Sequence, residues 1–240
     1  VTVRLTARSV VLSVLLGAHP AWATAAELLR LTSDFGIREP TLRVALTRMV
    51  SGGDLVRSDD GYRLSERLLA RQRRQDEALH PVTRDWDGTW VTVIVTAVGA
   101  DARTRGALRT TLQDNRFGEL REGVWMRPDT LDGTAPTLIR GRVRVLRAHD
   151  DNPAELAHQL WDLRDWSKTG HRLLREMNAA DDIPGQFVVA AAMVRHLLTD
   201  PVLPAGVLPA DWPADRLRAA YTEFADLLTS RRDEELVEAK

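Results

Sequence analysis

The sequence predicts an α+β protein. It is expected to consist of an N-terminal winged helix-turn-helix, a central ferredoxin-like domain and a C-terminal helical domain. Three observations carry this. Three helix-patterned segments and an Asp-Gly hairpin fill residues 6–64. β-branched, strand-like runs around one helical segment fill the middle of the chain. Capped, proline-punctuated helical segments fill the remainder. The predicted boundaries are 1–80, which includes a linker helix, then 86–150, then 151–240.

The first helix is expected over Thr6–Gly17, apolar at Val10, Val11, Val14 and Leu15 and stopped by Gly17. Thr24-Ala25-Ala26-Glu27 is a capping box, in which hydroxyl and carboxylate each satisfy a free backbone N–H; it opens a second helix running to Phe35. Gly36 ends that helix, because glycine takes the left-handed conformation that helix termini favour. In the third helix Pro40 suits the first turn, where its missing N–H costs nothing. Leu42, Ala45, Leu46, Met49 and Val50 recur at helical spacing and define one buried face. Gly52-Gly53 closes it. The strand-like runs Asp54–Ser58 and Tyr62–Leu64 flank Asp59-Asp60-Gly61, a hairpin signal. Three helices followed by a hairpin is the winged-helix order.

Ser65–Leu79 reads as a polar, basic linker helix, and Trp86-Asp87-Gly88-Thr89-Trp90 as a domain junction. Strands are expected over Trp90–Val98, over Gly123–Arg127 and within Leu138–His149, with a helix over Asp101–Asn115. Asn152-Pro153-Ala154-Glu155 opens a helix running to Leu163. Further helices are expected over Asp165–Asn178, Gln186–Leu198 and Ala214–Glu235, and a loop over Pro201–Pro213.

Composition narrows the chemistry. There is no cysteine, which excludes a disulfide framework, a thiolate zinc site and a cysteine nucleophile. The six histidines are never three or four apart, and no metal site is expected. No P-loop, G-x-S-x-G or G-x-G-x-x-G occurs. The carboxylate pairs Asp150-Asp151 and Asp181-Asp182 stand beside helix starts, where acids favour the helix dipole. The expectation is a protein that is not an enzyme and holds no cofactor. Arg4 and Arg8, then Val10–Ala18, then Ala21-Trp22-Ala23 have the outline of a secretory signal. That run is too short to span a bilayer and leads straight into a capped helix. The chain is therefore expected to be cytoplasmic and to have no membrane partner.

Charge is unevenly spread. Residues 1–75 carry 12 arginines against 7 acids, while the whole chain has a net charge of −1. A positive end is the electrostatic footprint of a phosphate-binding surface. The polar face of the third helix presents Arg38, Thr41, Arg43, Thr47 and Arg48, and the hairpin presents Arg57 and Arg63. Arginine makes bidentate contacts to guanine or holds phosphates, and threonine hydroxyls do either. These seven residues are the predicted contacts to double-stranded DNA.

Several stretches in fixed order resemble the PaaX family of phenylacetate-degradation transcriptional repressors over nearly the full length. They are Phe35-Gly36-Ile37 with Arg43, Ala45-Leu46 and Arg48; Trp86–Trp90; Phe117–Trp125; and Asp200–Pro204 with Leu208–Pro213. Asp54, where the family pattern leads us to expect an aromatic residue, and Ala214, in place of glycine, depart from it. The resemblance implies a winged-helix domain, a central Cas2-like domain of ferredoxin-like fold and a helical C-terminal domain. It also implies a homodimeric repressor released from its operator by phenylacetyl-CoA.

An acyl-CoA effector needs apolar walls and, at some distance, cationic groups. Trp125 and Arg127, two apart on one strand and so on one face, are the predicted effector contacts, joined by Arg105, Arg109 and Trp161; Trp166 and Trp212 are further candidate walls. The alternative function is a metal-dependent nuclease built on the Cas2-like domain. Such enzymes use an aspartate after the first strand, and Asp101, three residues past Val98, is not an obvious match.

Overall fold

The computed structural model describes residues 5–58, 60–96, 101–132 and 141–238. Arg4, Asp59, Ala97, Val98 and Leu138–Arg140, all of which enter the sequence reading, lie outside the described residues. The chain divides into two compact units. The first comprises residues 1–79, 172–195 and 216–240, and the second residues 80–171 and 196–215. The helices expected to form a third domain over 151–240 are thus shared between the two. The reason is visible in the first unit. Phe35 meets Phe187 edge-on at 4.8 Å, Phe187 meets Phe224 at 6.4 Å, and Arg218 Nε donates to the Ala78 carbonyl.

The first unit opens with α1 (Ala7–Gly17), β1 (Trp22–Ala23), α2 (Ala25–Ser33) and α3 (Glu39–Ser51). The hairpin strands β2 (Leu55–Arg57) and β3 (Tyr62–Leu64) and helix α4 (Glu66–Leu79) follow. The Thr24 capping box forms as expected. Glu27 N–H donates to Thr24 Oγ1 at 3.1 Å and Thr24 N–H to Glu27 Oε2 at 2.7 Å. Gly36 and Gly53 take φ of +66° and +72° after their helices. One core joins Leu15, Leu28, Leu42, Leu46, Met49, Leu55, Leu64 and Leu68. Gln72 in α4 closes α1 from below, its Nε2 donating to the carbonyls of Leu15, Leu16 and Ala18.

β1 was not expected. It pairs antiparallel with β3, giving a three-stranded sheet in the order β1-β3-β2. This pairing explains Gly61. A Cβ there would stand on the Ala23 carbonyl and within about 3 Å of Thr24 Cα, so the glycine allows the hairpin turn to lie against β1.

The second unit holds β4 (Trp90–Val95), α5 (Ala102–Asp114), β5 (Gly118–Arg121), β6 (Val124–Pro128) and β7 (Val143–Ala148). All neighbouring strands are antiparallel, in the order β5-β6-β4-β7. That is the strand order of a ferredoxin-like sheet, with α5 crossing between its first two strands. β5, unforeseen in the sequence, begins at a glycine whose Cβ would clash with Leu160 and Trp161. One sheet face packs Val91, Val93 and Trp125 against Leu112 and Phe117. The other packs Trp90 and Met126 against Leu156, Ala157 and Leu160 of α6 (Pro153–Leu160) and against Leu203 and Val207. α7 (Leu163–Asn178) and α8 (Ile183–Leu197) have residues in both units, and α9 spans Ala214–Glu238.

Candidate nucleic-acid interface

Helix α3 sorts its residues by period. Leu42, Leu46 and Met49 are buried, whereas Arg38, Thr41, Arg43, Thr47 and Arg48 are exposed. Arg57 on β2 and Arg63 on β3 are exposed as well. The structure thus sets all seven predicted contact residues on the surface of α3 and the adjoining hairpin. Arg43 is held along the helix, its Nη2 2.6 Å from Glu39 Oε1. Thr47 Oγ1 donates to the Arg43 carbonyl, and its oxygen keeps acceptor capacity. An open groove of about 850 Å³ runs beside the helix, bordered by Thr6, Arg8, Thr41, Val44 and Arg48.

Asp54 braces this surface from beneath. Only 6% exposed, it receives Arg8 from α1 and Arg67 from α4 at 2.7 and 2.5 Å. The carboxylate at the root of β2 therefore ties the first helix to the fourth. In the sequence Asp54 is the start of a strand-like run and a departure from the family pattern, with no sign of this bracing role. Its partners lie 46 and 13 residues away, beyond any local signal.

The predicted effector contacts are distributed differently from expectation. Trp125 and Arg127 do share a sheet face, but they are 3% and 4% exposed and belong to the core beneath α5. The Arg127 guanidinium lies 4.9 Å over the Phe117 ring and donates to the carbonyls of Asn115 and Leu131. Burial lowers its pKa to about 10, offset in part by Asp129. Arg109 is exposed, pairs with Glu119 at 2.5 Å and lies 5.5 Å over the Trp125 ring. Arg105 is exposed. Trp161 packs with the cluster on the opposite face, so the five residues do not converge. Trp166 and Trp212 stack on each other at 4.2 Å, and His196 stacks on Trp166 at 4.1 Å. Asp101 caps α5, its Oδ1 accepting the Thr104 N–H, which holds its pKa below the usual carboxylate range. Among the described residues no group of three or more His, Asp or Glu is placed to hold a metal ion, and no helix is long and apolar enough to cross a membrane.

Two of the stretches that carry the family resemblance have clear structural roles. In Trp86–Trp90, Asp87 Oδ1 accepts the Thr89 N–H, Gly88 takes φ +91°, and Trp86 Nε1 donates to the Thr89 carbonyl. In Asp200–Pro204, the buried Asp200 accepts the N–H of Val202, which sits at φ +53°.

Residues 6–68 match a family model described as PaaX-like protein, and residues 83–150 match one described as PaaX protein central Cas2-like domain. A solved structure, that of the uncharacterized protein Rv0674 from Mycobacterium tuberculosis, is 69% identical in sequence. It has a TM-score of 0.87 and covers 95% of this chain and 98% of its own. No curated protein matches. Both matched models are PaaX models, and by that family the chain is a transcriptional regulator. The chain belongs to the PaaX family.

Proposed function

We propose that this protein is a dimeric DNA-binding repressor, released from its operator by an aromatic acyl-CoA such as phenylacetyl-CoA. In this reading residues 6–68 act as a winged helix-turn-helix, with α3 as the recognition helix and the β2–β3 hairpin as its wing. The observation that carries it is the two-faced character of α3. One face is locked in the core by Leu42, Leu46 and Met49, while the other offers arginines and threonines to solvent beside the hairpin arginines. B-DNA admits a helix of this kind in its major groove. Pairing across a pseudo-palindrome supplies the affinity that one small module lacks.

A gel shift on the DNA upstream of the chain's own gene tests the first half, repeated with phenylacetyl-CoA for the second. Binding that the acyl-CoA weakens is the expected result. Because the coupling is reciprocal, DNA must weaken acyl-CoA binding by the same factor in calorimetry. Absence of any shift overturns the repressor reading; a shift indifferent to acyl-CoA esters overturns only the effector. A monomer by light scattering at micromolar concentration, with and without DNA, removes the dimer.

A further inference from the structure

Val44 sits on the wrong side of its helix for a protein that meets only water. It is 51% exposed on α3, with Pro40 and Thr41 one turn before it and Thr47 and Arg48 one turn after. Residues three and four apart are surface neighbours on a helix, so this apolar side chain stands beside Thr41, Thr47 and Arg48, with Pro40 as its apolar neighbour. Valine is a poor choice there on two counts. Its branched Cβ loses rotamer freedom against the preceding turn, and its exposed methyls gain nothing from burial. Single exposed apolar residues are common; the position at the centre of the predicted contact face singles this one out.

The surround also says what covers it. Arg43 and Arg48 on the same helix, with Arg38 at its N-cap, select a polyanion. Of the groups that bases display in the major groove, the thymine C5-methyl is the apolar one. We infer that Val44 is a sequence-reading residue that packs on the C5-methyl of a thymine. The inference rests on the DNA-binding reading of α3 and deepens it, adding an apolar contact to the hydrogen-bonding ones.

The test uses the full chain and a library of random DNA duplexes. Bound duplexes are sequenced, the preferred site is synthesised, and each thymine is replaced in turn by deoxyuridine, which removes only the methyl group. At one thymine per half-site the replacement should weaken binding about fourfold, the worth of one buried methyl-sized group. Val44→Ala should bind the thymine duplex more weakly and be indifferent to the same replacement. Its side chain is exposed and alanine favours helix, so the variant folds; circular dichroism verifies this. If no replacement affects the wild type, or if Val44→Ala responds to it as the wild type does, the role of Val44 is overturned. If the library yields no preferred sequence, the DNA-binding reading itself falls and takes this inference with it.

Discussion

The Arg8 guanidinium donates twice to one oxygen of the Asp54 carboxylate, at 2.7 and 3.0 Å. The other carboxylate oxygen is taken by Arg67. The acid is buried, but the two arginines are 60% and 67% exposed. Asp54→Ala should cost about 1.5–3 kcal/mol, the range for hydrogen bonds to a charged group. Both arginines can rehydrate, which holds the loss below that of a fully buried pair. Arg8→Ala leaves Asp54 paired with Arg67 and should cost about 1 kcal/mol or less. Urea unfolding of the three proteins gives the ranking, and equal losses for both variants would contradict the bracing role.

Gly61→Ala pushes a methyl into the Ala23 carbonyl. The obstacle is backbone, so β1 or the turn has to move. An overpacking cost of about 1–3 kcal/mol is expected. The hairpin should shift with it and DNA affinity should fall. Thermal melts and gel shifts on one preparation measure the two effects.

Arg43 and Arg57 should behave differently on DNA. If Arg43 leaves Glu39 to read a base, Arg43→Ala costs about 1–3 kcal/mol and relaxes specificity at one position. Arg57→Ala should weaken all sequences alike and reduce the salt slope by about 1. Binding titrations at several salt concentrations separate these outcomes. Unchanged affinity in both variants would remove α3 and the hairpin from the interface.

Trp125→Ala should destabilise the protein by about 3–5 kcal/mol, because it empties a large site in the core beneath α5. Arg127→Met should cost about 1–3 kcal/mol, because the part-buried carbonyls of Asn115 and Leu131 lose their donor. Denaturant midpoints decide this. A Trp125→Ala variant of native stability would reopen Trp125 as a pocket wall.

How much of this was legible in the sequence varies by element. The period of α3 alone separates Leu42, Leu46 and Met49 from Thr41, Arg43, Thr47 and Arg48, so the candidate interface could be read without coordinates. The Thr24 box and Gly36 are equally local. Two-residue β1 has no period to detect, and it forms by pairing with Tyr62 and Arg63 far along the chain. β5 opens with glycine and carries Glu119 and Arg121, so it lacks the β-branched signature. The sequence pattern carries the helix from Pro153 to Leu163, yet Trp161 takes an extended conformation and the next helix starts at Leu163. The burial of Trp125 and Arg127 depends on α5 lying over them, which alternation along one strand does not report. Gly61 matters for its closeness to Ala23, whereas the Asp-Gly signal spoke only of turn geometry.

The first compact unit is completed by segments far along the chain, with the contact between Ala78 and Arg218 spanning 140 residues. On the ribosome the amino-terminal helices emerge first and must wait for α9. At typical synthesis rates of about 5–20 residues per second, that interval is roughly 10–30 s. Until α8 is made Phe35 lacks Phe187, and until α9 is made Phe187 lacks Phe224. The nascent chain therefore carries an unfinished apolar surface through much of its translation, the condition in which partly made chains are most prone to aggregate.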